Sequence, residues 1–158
     1  MTTETSADTS RCDTCGIVVA GGSTGCQSLF EEHLGLHFSR PTYFGVHRLF
    51  VDTYFLQHPE RSCASFKSLA AHLGHLCWSL ERGGSRAIPS EHIRRWVERH
   101  PQLDRPAPPE SRGRLMIGYV AQAGTPADHH RAVEQWARAT TDIRRTGNVK
   151  STRGVSRR

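Results

Sequence analysis

The chain has no run approaching the ~20 apolar residues that a helix needs to cross a membrane. Its opening stretch, MTTETSADTS, carries neither a basic n-region nor an apolar h-region, so no secretory signal is expected. It has no internal repeat, no phosphate-binding glycine loop, no recognition-helix pattern and no nucleophile motif. Those absences set aside the function classes that announce themselves in sequence. Hydrophobic residues are only 36% of 158, which is modest for a globular protein, although this length still supports a single core. The five cysteines are an odd number. Without an export signal they point to a reducing cytoplasm, where thiols stay free or bind metal, rather than to a disulfide framework.

Charge is missing from most of the molecule in the net sense. The chain totals +6, and residues 144–158 alone hold Arg144, Arg145, Lys150, Arg153, Arg157 and Arg158 with no acid, so residues 1–143 sum to zero. This organisation reads as a polar, disordered segment 1–11, one helical metal-binding domain over 12–143, and a basic, disordered tail over 144–158. A tail of this kind can add weak, salt-sensitive contact with nucleic acid.

Apolar periodicity predicts an all-α bundle of about five helices. The first runs from Ser23 or Cys26 to Phe38 and ends at Ser39-Arg40-Pro41. The second spans Tyr43 to His58 and is stopped by Pro59. The third covers Ser62 to Arg82, with a stripe of Phe66, Leu69, Leu73, Leu76 and Leu80 and a Gly83-Gly84 cap. A short fourth opens at Pro89 with Ile93, Trp96 and Val97 inward. Residues 115–123, LMIGYVAQA, are compatible with a strand or a helix. The last helix runs from Pro126 to Ile143, with Val133, Trp136, Ala137 and Thr140 inward.

Chemistry enters with Cys12-Asp-Thr-Cys15-Gly16 and the lone Cys26. Thiolates at this spacing bind soft metals, and an imidazole completes such sets. If the first two helices are antiparallel, Cys26 meets His58, and His37 meets His47. The expected site is therefore a Cys-rich knuckle in which Cys12, Cys15, Cys26 and His58 hold zinc. His33, His47 or water are alternatives for the fourth position. His47 lies roughly 16 Å from His58 at ~1.5 Å per helical residue, so one ion cannot take both. A second polar cluster is expected around His47, Asp52 and His72, with His37, Tyr54 and His75 in reach. It can act as an open metal site or a general-base group, or it can be ordinary hydrogen-bonded packing with Asp52 tied to Arg48. Gln57 reads as a partner that orients His58 or as a polar helix end. Cys63 and Cys77 read as small core residues. At most one of His129 and His130 can join a given site, because neighbours on a helix diverge.

These residues resemble a group of small bacterial proteins that share a domain of unknown function. The shared features are CxxCG (Cys12, Cys15, Gly16), the lone Cys26, and a segment like HRxxVDxYxxQHP over His47 to Pro59. HLxxL then LERG follow over His72 to Gly83, and later Val133, Trp136 and Ala137. The resemblance covers about residues 12–137. It implies a bacterial origin and a shared, metal-supported fold, and no particular activity. Such proteins tend to continue with further tryptophans and a His-His pair, where this chain reads RATTDIRRTGNVKSTRG.

Three readings follow. The leading one is a cytoplasmic, zinc-binding helical protein with a structural metal and a histidine-centred functional site, acting on an unidentified small molecule or protein. The others are a metalloenzyme, an accessory biosynthetic hydrolase or cyclase using His47 and His72, and a regulator or adaptor that touches nucleic acid or protein through its knuckle and tail.

Overall fold

The computed structural model describes residues 8–82, 90–100 and 111–153. They form eight helices and one two-stranded hairpin. The hairpin comes first: β1 (Thr9–Arg11) pairs antiparallel with β2 (Val18–Ala20), Ser10 opposite Val19. The turn between the strands carries Cys12 and Cys15. It closes through the amide of Gly16 on the Cys12 carbonyl (2.9 Å) and the amide of Cys12 on the Ile17 carbonyl (2.8 Å). Gly16 sits at φ +83°, a conformation in which a side chain is strained.

Helix α1 (Gly22–Ser39) follows at once. It packs directly against β2: a Cβ on Gly25 would lie 1.9 Å from the Ala20 carbonyl oxygen. Its inward face is Cys26, Phe30, His33 and His37, every third or fourth residue. A turn of helix, α2 (Pro41–Phe44), leads into α3 (His47–Gln57). The expected single helix from Tyr43 to His58 is thus broken at Gly45–Val46. The break sets α2 against the last helix of the chain, with the His130 ring so near Gly45 that an added Cβ would meet it at 3.0 Å. Pro59 ends α3 as expected and starts the short α4 (Pro59–Ser62). The long stripe then lies on α5 (Phe66–Glu81), whose N-cap Ser65 accepts from the Ser68 amide. The Gly83-Gly84 cap falls outside the described residues.

Helix α6 (Ser90–Glu98) buries Val97, but Trp96 is 48% exposed, so its expected inward placement is corrected. Glu91, Arg94, Arg95 and Glu98 pair with one another along a different, exposed face. The ambiguous stretch is helical, α7 (Ile117–Ala121), with Ile117 and Val120 buried. The last helix, α8 (Pro126–Arg153), starts at the expected proline and continues past Ile143.

The core lies where α3 packs on α5 and α8 with α1 across them. Phe30 stacks on Tyr54 (centroids 4.0 Å) and on Phe50 (5.4 Å), and Trp136 meets Phe50 edge-on. Leu49, Leu56, Leu76, Val133 and Ala137 fill the rest. This packing fixes α1 and α3 side by side, with the start of one level with the end of the other. No helix among the described residues is long and apolar enough to cross a membrane.

Candidate metal centre

Three elements deliver the four expected ligands to one place. The hairpin turn supplies Cys12 and Cys15, α1 supplies Cys26, and the residue that ends α3 supplies His58. One ligand atom from each lies within 4.8 Å of all the others, and all four residues are buried. The Cys15 and Cys26 sulfurs are 3.8 Å apart, Cys26 Sγ is 3.4 Å from His58 Nε2, and Cys12 Sγ is 3.8 Å from the same nitrogen.

Those spacings test the metal. A tetrahedral ion with sulfur at about 2.3 Å and nitrogen at about 2.0 Å sets S···S near 3.8 Å and S···N near 3.5 Å. A disulfide needs sulfurs about 2.05 Å apart. The group therefore fits a four-coordinate ion and excludes a cystine between Cys15 and Cys26; all five cysteines are free thiols. The ring of His58 is fixed by its neighbours. Its Nδ1–H donates to the Tyr54 carbonyl (2.8 Å), which leaves the Nε2 lone pair facing the sulfurs. Tyr54 stacks on the same imidazole (4.0 Å) and sets its hydroxyl 3.7 Å from Cys26 Sγ. Ser23 donates toward Cys12 Sγ (3.8 Å).

The electrostatics describe sulfurs competing for protons. The Cys15 thiol is pushed up to about 12, first by its contact with Cys26 and then by burial. Cys26 is lowered, chiefly because Cys15 holds the proton for it. For Cys12 burial acts upward, but the amides of Cys15 and Thr14 outweigh it and the net shift is down. For His58 burial acts downward, and the neighbouring Cys15 and the Tyr54 carbonyl outweigh it, so the net shift is up. A divalent cation removes this competition by taking all three thiolates together. The free amides of a helix N-terminus are not what stabilises the Cys26 thiolate. Helix α1 begins at Gly22, a full turn earlier, and the groups that act are Cys15 and Tyr54.

Gln57 does not orient His58; it is the polar residue that ends α3. Its Nε2 donates to the carbonyls of Arg112 and Leu115, both at 2.8 Å, and its Oε1 accepts from Trp136 Nε1 (3.0 Å). It joins α3 to α8 and to the segment before α7.

The second expected cluster divides. Asp52 is buried and bonds His72 Nδ1 (2.7 Å) and Arg48 (3.0 Å), and Arg48 also donates to His75 Nδ1 (2.5 Å). His47 turns away from this group. It stacks on Phe44 and sets its Nδ1 3.2 Å from His37 Nδ1, as the antiparallel argument required for that pair. Successive residues on a helix diverge, so Arg48 and not His47 reaches α5. His129 joins His37 (2.7 Å) while His130 bonds the Thr42 carbonyl (2.9 Å), which fits the rule of at most one. In the sequence His129 stands out only as an optional extra ligand. Its partner lies 92 positions away, and no local pattern encodes that distance.

A model of a family of unknown function, DUF5946, matches residues 10–144. The chain belongs to that family. The match begins just before Cys12 and contains all four residues of the cluster. Neither a curated protein nor a solved structure matches.

Proposed function

We propose that this DUF5946 member is a zinc-organised helical protein of a reducing cytoplasm, with one zinc ion held by Cys12, Cys15, Cys26 and His58. The observation that carries this is the convergence of four buried soft or borderline donors at tetrahedral spacing. Four protein ligands leave no position for water, so the ion's role is structural. Bound there, it would supply charge to hold three thiolates together and would tie the hairpin to the junction of α3 and α4. The test is metal content per chain by elemental analysis on the purified protein. One zinc in the wild type, lost in Cys15→Ser, is the expected result. A fully folded wild type that retains no metal on repurification with added zinc would sink the reading.

A second reading, an enzyme, rests on one specific contact. Asp52 accepts from His72 Nδ1, which leaves His72 Nε2 free to take a proton, the arrangement of a general base with its orienting carboxylate. In this reading His72 is the base and Asp52 its positioning partner, and His47 belongs to a different group of side chains.

A further inference from the structure

The end of α1 remote from the cysteines gathers imidazoles. His37 lies roughly 16 Å from Cys26 along that helix at ~1.5 Å per residue, so the two centres cannot share an ion. His37 and His129 are each 1% exposed, and their Nε2 atoms face each other at 2.7 Å. His33, one turn before His37 on the same face, lies parallel to the His129 ring with centroids 5.7 Å apart. Its Nδ1 sits 2.8 Å from the Leu29 carbonyl, which is satisfied when that nitrogen carries the proton and leaves Nε2 a bare lone pair. On the other side of His37, Nδ1 faces His47 Nδ1. A proton in that gap likewise frees His37 Nε2 as a ligand atom.

The surroundings are those of a ligand set and not of a charge pair. Burial, followed by the neighbouring imidazoles, takes His37 down to about 3 and His129 down to about 4. No described carboxylate is bonded to His33, His37 or His129. Neutral imidazole is the form that binds metal. Histidines at i and i+4 on one helix face, joined by a third from another helix, are a metal-binding spacing. An open depression of about 250 Å³, lined by Glu32, His33, Leu36, Ser39 and Arg40, leads from solvent to His33.

We propose that His37, His129 and His33 bind a second ion, a divalent transition metal of the zinc, nickel or copper class, through their Nε2 atoms. Among the described residues, three donors lie mutually within 4.8 Å only in the cysteine cluster. Loading therefore draws the His33 ring toward the pair already in contact. His47 is a positioning residue that fixes the tautomer of His37. Three nitrogen ligands leave positions open toward the depression for water or a small oxygen ligand. The proposal does not rest on the cysteine site, and its readout is separate.

The experiment titrates cobalt(II) alone into protein whose cysteine site already holds one zinc. The wild type is expected to take up one further equivalent without a thiolate-to-cobalt charge-transfer band. His37→Gln and His129→Gln should lose that equivalent and keep the zinc, and His47→Ala should weaken it about 10- to 100-fold. X-ray absorption on the cobalt-loaded wild type should show a nitrogen and oxygen shell, which covers the case in which a variant fails to fold. Uptake that stops at the one zinc, a sulfur shell around cobalt, or unchanged uptake in folded His37→Gln and His129→Gln would each overturn the proposal. Cobalt that enters only by displacing zinc, with a thiolate band, speaks to the cysteine site and counts against a second one.

Discussion

The side-chain amide of Gln57 is saturated by partners from three parts of the chain. Replacing it with alanine strands the buried indole N–H of Trp136 and takes the donor from two half-buried carbonyls. Each unsatisfied buried group costs about 1–3 kcal/mol, so Gln57→Ala should lose roughly 3–5 kcal/mol in urea unfolding. Its metal content should stay that of the wild type, which a residue orienting His58 would not allow. His75 offers a second test. Its Nδ1 accepts from Arg48, and its buried Nε2 has no hydrogen-bond partner among the described residues. Burial first, and then the Arg48 charge, lower its pKa from 6.5. Below pH 6.5 the unfolded chain takes up a proton that the folded chain refuses. Stability is thus complete above that pH and declines as pH falls toward the lowered folded value. His75→Gln should flatten this part of the stability-pH profile, read by urea midpoints between pH 7 and 5. A profile unchanged by the substitution would assign the decline to another group. Neither environment was legible in the sequence. Arg112 and Trp136 lie far along the chain from Gln57, and a polar residue at a helix end looks the same whether it meets water or an indole.

At the scale of elements, the readable parts were those whose signal is local. The run from His47 to Pro59 announced a helix that stops at a proline, and the stripe from Phe66 to Leu80 announced α5. From the short link between the first two helices came their antiparallel pairing, and hence both the Cys26–His58 and the His37–His47 contacts. The hairpin was missed because each strand is three residues long, too short for alternation to show. That brevity has a consequence. A two-stranded hairpin is marginal in water on its own, and beyond its packing on α1 the anchor that the proposed ion would give Cys12 and Cys15 should hold β1 and β2. Chelation should release residues 9–20 to hydrogen exchange and expose Cys12 and Cys15 to a thiol reagent. The helical far-UV signal should persist, because the contact of Phe50 with Trp136 and the packing of α3 on α5 and α8 do not involve the cysteines. Added zinc should restore protection. If chelation left the hairpin amides and both thiols protected, the ion would not be what holds them.

For the whole molecule, the basic segment is not entirely separate from the packed helices: Arg144, the first residue of the expected tail, donates from Nη2 to the Leu56 carbonyl at 2.7 Å. That carbonyl belongs to the last turn of α3, where the helix has no partner of its own to offer and a cation is favoured. Arg144 is therefore part of the body, beside Gln57 and His58 at the junction that also holds the hairpin and α8. Removing residues 145–158 takes away Arg145, Lys150, Arg153, Arg157 and Arg158 and lowers the net charge from +6 to +1. A chain ending at Arg144 should match the full chain in urea midpoint, and one ending at Ile143 should lose about 1 kcal/mol. The same pair of truncations tests the adaptor reading. If the basic segment is what meets polyanions, both truncations should abolish retention on duplex DNA. The full chain's log affinity should then fall against log salt with a slope no steeper than about −5, since each neutralised phosphate contributes about −0.9. Binding that survives in the chain ending at Arg144 would place the contact on the folded body, whose charges nearly cancel.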